Sequence, residues 1–254
     1  MKLVYFDTLE STNKYCELLD LAQVEEFTVV AAGSQTAGVG QRGSQWESQP
    51  YSNLAFSLVL KPVFLAVAEQ YELTKAISVG IADWVKETLG ENGEEERQPD
   101  MAKEVAIKWP NDIYIGDRKL CGVLVSNHVS DGVLCSSIAG VGLNVNQTTF
   151  SDWIPNPVSL SMLTGKTYHL NAALASLVSS ICNRYEQLRS GMRHAVDGDY
   201  LHDLLRRDRE ADYYYRGKSL RATLRGVNRF GHLVLTLPNG EELECDMGEL
   251  KFLF

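Results

Sequence analysis

The sequence has no pair of cysteines at metal or redox spacing: its five, Cys16, Cys121, Cys135, Cys182 and Cys245, are widely scattered. That excludes a zinc site built on close Cys pairs and a Cys-x-x-Cys redox centre. An odd, unpaired set reads as the reduced thiols of a cytoplasmic protein. Long apolar runs are also missing. The densest, residues 54–60, is far too short to cross a bilayer, so no membrane is expected as a partner. The start, Met1-Lys2-Leu3-Val4-Tyr5-Phe6-Asp7, shows no positive region followed by a long apolar stretch, and no signal peptide is read there. Positive charge is scarce: 24 Lys and Arg stand against 33 Asp and Glu, a net −9, with a pI near 5.1. Such a chain presents no broad basic face, so nucleic acid is not an expected partner, although a single cleft can still be basic.

What is present suits one substantial core with a small appended module: 254 residues, 44 % of them hydrophobic. Apolar and β-branched runs predict strands at 3–6, 27–32, 54–60, 105–109, 120–126 and 133–145. Helical spacing of Tyr15, Leu18, Leu19 and Ala22 predicts a first helix, with Ser11 or Thr12 as its N-cap. Longer helices are predicted over 66–89, stopped by Gly90, over 170–188, and over 196–207. Residues 91–103 are acidic and polar, a solvated loop. After Tyr213 short alternating runs at 218–224 and 233–237 flank turn signals at 228–231 and at Asn239-Gly240, which describes a small β module. The expected division is 1–212 and 213–254.

Gly38-Val39-Gly40-Gln41-Arg42-Gly43 spells G-x-G-x-x-G. A dinucleotide-binding turn needs a strand directly before it and a helix directly after. Here Ser34-Gln35-Thr36-Ala37 intervenes, and the polar run to Pro50 cannot open a helix, so that reading fails. No Gly-Lys-Ser/Thr ending exists, which excludes a P-loop. What remains is either a flexible turn or a loop whose amides, aided by Arg42, reach an anion. Lys108-Trp109-Pro110-Asn111-Asp112 places a lysine at the end of an apolar strand, where a half-buried charge needs an anionic partner. Gly140 and Gly142 lie inside a predicted strand, a mark of a bulge or of close approach by a ligand. Ser11-Thr12-Asn13 is a polar triplet at a helix start, which equally describes a simple cap.

Taken in order, these segments resemble the catalytic module of biotin protein ligases. Ser11-Thr12-Asn13, Gln35-Thr36-Ala37-Gly38-x-Gly40-x-Arg42-Gly43 with Trp46, Lys108-Trp109-Pro110-Asn111-Asp112, Lys119-Leu120-Cys121-Gly122-Val123-Leu124 and Gly140-Val141-Gly142-Leu143-Asn144 all match in sequence and order. The resemblance implies an α+β fold: a mixed β-sheet with flanking helices of the class II synthetase kind, plus a C-terminal SH3-like β-barrel. It implies an enzyme that activates biotin with ATP as biotinyl-adenylate and passes it to a lysine of a biotin carboxyl carrier protein. Biotin is expected to meet Ser11, Thr12, Asn13, Gln35, Gly38, Gly40, Lys108, Gly122 and Gly140. ATP and the adenylate are expected at Gly40, Gln41, Arg42, Gly43, Trp46, Asn111, Asp112 and Asn144, with Lys108 and Arg42 as catalytic cations. Mg²⁺ is the implied cofactor, held mainly by the ATP phosphates; its protein ligands and a homodimeric state are left open.

Two positions depart from the family. Its loop usually reads Gly-Arg-Gly-Arg-x-Gly, and Val39 and Gln41 stand where both arginines would be. Ser126 occupies a position where many relatives carry a glutamate. A lipoate ligase of the same fold would carry an Arg-Arg-x-x-Gly-Gly-Gly segment, which is absent. A ligase doubling as a repressor would place a DNA-reading domain ahead of the polar triplet, which here begins at Ser11. A biotin-binding pseudoenzyme is the remaining alternative, on account of Val39.

Overall fold

The computed structural model describes residues 2–90 and 101–254, so the part of the expected acidic loop at 91–100 lies outside the described residues. Seven strands form the main sheet: β1 (Lys2–Leu9), β2 (Thr28–Gln35), β3 (Leu54–Leu60), β4 (Val105–Lys108), β5 (Asp112–Ile115), β6 (Arg118–Ser130) and β7 (Val133–Leu143), in the order β1-β2-β3-β7-β6-β5-β4. Only β1 and β2 run parallel; the other neighbours are antiparallel. The sheet is therefore mixed, as expected.

β3 is buried along its whole length. Leu54, Phe56, Leu58 and Leu60 face a large core beneath α2 (Gln70–Gly90) and α4 (Leu170–Arg189), while Val59 joins Cys16, Leu21, Val30 and Ile138 on the opposite face, under α1 (Thr12–Glu17). A strand covered on both faces loses its alternation, which is why it reads as a continuous apolar run. The helices α3 (Leu160–Thr164) and α5 (Arg193–Asp203) complete the layer.

Several boundaries moved. The first helix is shorter than its apolar spacing predicts: it stops at Glu17, Leu18 is 86 % exposed, and Asp20 turns the chain by accepting from the Ala22 amide. The spacing continued past the point where backbone partners ran out. The expected helix over 196–207 runs instead from Arg193 to Asp203, because the Leu204–Leu205 backbone is taken by β4, with the Leu205 amide donating to the Ile107 carbonyl at 2.9 Å. β5 and α3 had no counterpart in the sequence reading.

The C-terminal sheet is antiparallel and five-stranded, in the order β11-β10-β9-β8-β12, from β8 (Glu210–Tyr215), β9 (Lys218–Val227), β10 (Leu233–Thr236), β11 (Glu242–Cys245) and β12 (Leu250–Phe252). It begins at Glu210, three residues ahead of the expected division at 213.

α2 and α4 cross closely at Gly80, where a Cβ would stand 2.7 Å from the Ile181 Cα. Backbone cannot move aside as a side-chain tip can. Gly80→Ala is expected to lower unfolding stability by about 1–3 kcal/mol through overpacking, read from the denaturant midpoint; an unchanged midpoint would show that the helices separate freely.

Candidate active site

The floor of the site is a patch of sheet without side chains. Gly122 on β6 and Gly142 on β7 are Cα partners, and Gly140 lies two residues along on the same face. A Cβ at Gly142 would stand 2.3 Å from the Trp46 ring, one at Gly122 2.9 Å from it, and one at Gly140 2.4 Å from Asn13 Oδ1. The groups that approach these glycines closely are the protein's own side chains, where the sequence suggests a bulge or a ligand.

Over this floor the glycine-rich segment folds back as an arch. Val39 bridges to Gln45, the Trp46 amide donates to the Gly38 carbonyl at 3.0 Å, and the Gly40 amide donates to the Ser44 carbonyl at 2.7 Å. Gln41–Gly43 makes one 3₁₀ turn at the crest, not a helix start. This is the local structure that the failed dinucleotide-binding pattern left room for. The Trp46 indole covers the floor, and its Nε1 is buried with no hydrogen-bond partner.

Beneath the arch is a cavity of about 190 Å³ lined by Ser11, Thr12, Asn13, Gln35, Val39, Gly40, Gln41, Trp46, Phe56, Asp112, Lys119, Gly122 and Gly140, among others. Its polar groups gather around the start of α1. Ser11 caps the helix, its Oγ accepting from the Lys14 amide at 3.5 Å, and the Thr12 amide donates to Gln35 Oε1 at 2.7 Å. Ser57 Oγ lies 2.9 Å from Thr12 Oγ1 and 3.1 Å from Asn13 Oδ1. Asn13 Nδ2 donates to Ser126 Oγ at 3.4 Å, and Ser126 in turn to Glu17 at 3.2 Å. Ser11 is thus the N-cap, and all three residues of the triplet line the cavity.

A second cavity, of about 230 Å³, adjoins the first and shares Gln41 and Asp112 with it. Its lining carries Arg42, Lys108 and Lys251, together with Trp109, Pro110, Met247, Gly248 and Phe252. Arg42 is left-handed (φ 55°, ψ 36°), a conformation that costs a non-glycine residue roughly 1 kcal/mol or more. Its guanidinium rests on Gly248 in the turn between β11 and β12, where no side chain would fit.

The segment carrying Lys108 is clamped from three sides. The hydroxyls of Tyr71 on α2 and Tyr200 on α5 meet each other at 2.7 Å and reach the Pro110 carbonyl at 3.1 and 2.9 Å, and Trp109 Nε1 donates to the Gly231 carbonyl at 2.9 Å. Among the described residues none forms an ion pair with Lys108. Its Nζ lies over the rings of Tyr114 and Phe252 at 5.3 and 5.4 Å, and Asp112 pairs instead with Lys119 at 2.6 Å. Burial pushes the Lys108 ammonium below the ordinary lysine value; Asp112 opposes this, and Lys119 and Arg206 add to it.

The remaining expected residues fall in three places. Asn111 is buried and accepts from Gln41 Nε2 at 2.5 Å, so it holds the arch from below. Gly38 is buried inside the arch and Gly43 stands at its exposed crest, with φ +76°. Asn144 lines neither cavity: its Nδ2 donates to the Val158 carbonyl at 3.1 Å and staples the segment before α3 to the sheet. Lys119, Phe56, Ser57 and Ser126 were not assigned roles from sequence. Lys119 sat inside a quoted motif and Ser126 stood out only as a departure from the family; Phe56 and Ser57 carried no signal beyond ordinary strand composition. No group of three or more His, Cys, Asp or Glu gathers among the described residues, and Asp112, the carboxylate in the cavities, is already paired with Lys119.

A family model described as the biotin/lipoate A/B protein ligase family matches residues 5–144. The chain belongs to that family. Relatives in the biotin/lipoate ligase family include the bifunctional ligase/repressor BirA of Bacillus subtilis, 30 % identical over 186 residues, which cover 72 % of this chain and 53 % of that protein. A biotin–[acetyl-CoA-carboxylase] ligase of Paracoccus denitrificans is 31 % identical over 137 residues, 54 % of this chain and 51 % of that one. The chain thus aligns with about half the length of these curated relatives. In fold it is similar to a biotin protein ligase of Aquifex aeolicus solved with biotin and ATP, with a TM-score of 0.78 at 23 % identity, covering 99 % of both chains.

Gly142→Ala tests the floor directly. A methyl group there displaces the Trp46 ring, and an overpacking cost of about 1–3 kcal/mol corresponds to a roughly 5- to 150-fold larger open fraction of the arch. Trypsin should then cut the exposed Arg42–Gly43 bond faster by that factor. Cleavage at the wild-type rate would mean that the glycine floor does not seat the arch.

Proposed function

We propose that the chain is an ATP-dependent biotin protein ligase, which forms biotinyl-5′-adenylate and transfers biotin to a lysine of a biotin carboxyl carrier protein. One observation carries the reading: a glycine-floored slot with neutral polar groups at its deep end opens sideways into a cavity lined by cations. Biotin is a neutral bicyclic urea with a carboxylate tail, and ATP is polyanionic. The ureido end fits the groups around Thr12, Asn13, Gln35 and Ser57, and the carboxylate then reaches the shared wall at Gln41 and Asp112, beside Lys119.

Joining a carboxylate to the α-phosphate brings two anions together, so catalysis is mainly fixed positive charge. Lys108 and Arg42 line the cationic cavity, neither ion-paired with a carboxylate among the described residues, and in this reading they meet the phosphates. The arch closes over the product and keeps the mixed anhydride from water. Asn111 and Asn144 act one step away, by holding the arch and the 158–160 segment. Mg²⁺ is proposed to come with ATP on its phosphates, because the described residues offer no ligand cage.

Val39 lines the slot with an apolar side chain where the family has a guanidinium, which leaves the intermediate more loosely held. In the same reading the C-terminal sheet, from β8 onward, is a separate SH3-like unit. A cytoplasmic setting accords with five free thiols and with the lack, among the described residues, of a helix long and apolar enough to cross a membrane.

The test is exchange of pyrophosphate into ATP. Exchange should depend on biotin, and Lys108→Ala, folded, should slow it by about 10²-fold or more. Exchange supported by lipoate and not by biotin would reassign the substrate within the family. Biotin binding without exchange would make the chain a pseudoenzyme.

A further inference from the structure

Lys108 is fixed at its cavity by rings from two different sheets. Tyr114 belongs to β5, which pairs with the lysine's own strand, whereas Phe252 lies on β12 of the C-terminal sheet. The Nζ stands 5.3 and 5.4 Å from the two ring centroids, within cation–π range. The carboxylate best placed to neutralise it, its ladder partner Asp112, is turned onto Lys119 at 2.6 Å. Phe252 is itself held edge-on by Tyr213, at 5.3 Å and 81°.

We propose that Phe252 is a positioning residue for adenylation: its ring, with that of Tyr114, holds the Lys108 ammonium at the cationic cavity while leaving its charge uncancelled. The inference rests on the reading of Lys108 as the cation that meets the reacting anions. A carboxylate would hold the lysine as firmly, but would neutralise the charge that two converging anions need. A ring face attracts a cation through its quadrupole and carries no net charge. The C-terminal sheet thereby contributes to the chemistry through a ring that carries no net charge.

The charged and titratable groups around Lys108 are Asp112 from β5, Lys119 from β6, Arg206 from the turn after α5 and the Tyr114 phenol, with Arg42 from the arch and Lys251 from β12 lining the same cavity. Burial raises the Tyr114 pKa, so its phenol stays neutral. The Arg206 guanidinium lies over the far part of the same aromatic cluster, 5.9 Å from the Phe252 ring.

Phe252→Leu keeps apolar bulk and removes the ring; Phe252→Tyr keeps the ring. Both are compared with wild type and Lys108→Ala in biotin-dependent exchange across pH, with folding checked by circular dichroism. The Leu variant is expected to lose roughly 3- to 30-fold in kcat with little change in KM for biotin. Its alkaline limb should move to lower pH, because the lysine remains buried but loses the ring that favours its charged form. The Tyr variant should restore both rate and limb. A Leu variant with the wild-type rate and limb overturns the proposal, as do Leu and Tyr variants equally slow with an unshifted limb, which would mark a packing role alone. If Lys108→Ala keeps full exchange, the reading of Lys108 fails and this inference falls with it. If Lys108→Ala is slow and Phe252→Leu is not, only the role of Phe252 is lost.

Discussion

The Trp46 indole lies across Gly122 and Gly142 so closely that a methyl group on either would enter van der Waals overlap with the ring. This bare patch of sheet determines the geometry above it. The arch over 38–46 can close only because its tryptophan reaches the backbone of β6 and β7, and α1 can bring Asn13 onto β7 only because Gly140 has no side chain. The glycines weaken the strands that carry them. Burial of β3 between two helical layers offsets that loss, and all of its residues are fully enclosed.

The second organising feature is the separation of charge between the two cavities. The slot under the arch is lined at its deep end by hydroxyls and amides, while Arg42, Lys108 and Lys251 line the neighbouring space. Lys119 and Asp112 stand at the boundary as a neutral pair. Rigid neighbours place Lys108: two tyrosine hydroxyls and a tryptophan N–H fix the two residues after it, drawing on α2, α5 and the turn before β10. Preorganised charge of this kind need not reorganise as the reaction proceeds, which is its advantage over charge carried on a mobile loop.

Much of this was legible in the sequence, and for identifiable reasons. β3, α2 and α4 were readable because their apolar patterns are long and uninterrupted. Gly140 and Gly142 announced close approach because glycine inside a strand has few other uses. The paired cavities were not legible. They depend on Gln41 and Asp112, separated by seventy-one positions in sequence, sharing one wall. Nor could spacing reveal that Asp112 is turned to Lys119, or that a ring from residue 252 answers Lys108, since strand order alone brings them together. The shortened α1 shows the opposite failure, in which Leu18 kept an apolar pattern after the helix had ended.

The central claim is that the slot and the cationic cavity form one site for biotin and ATP. Hydrogen exchange followed by mass spectrometry, on the chain alone and with both ligands, addresses it directly. The account predicts slowed exchange in peptides spanning 35–46, 120–124 and 139–143 under the arch and 108–112 and 247–252 at the cationic cavity, with no change in the groove between Glu69, Lys75 and Arg193. Protection confined to that groove, or none under the arch, would contradict it.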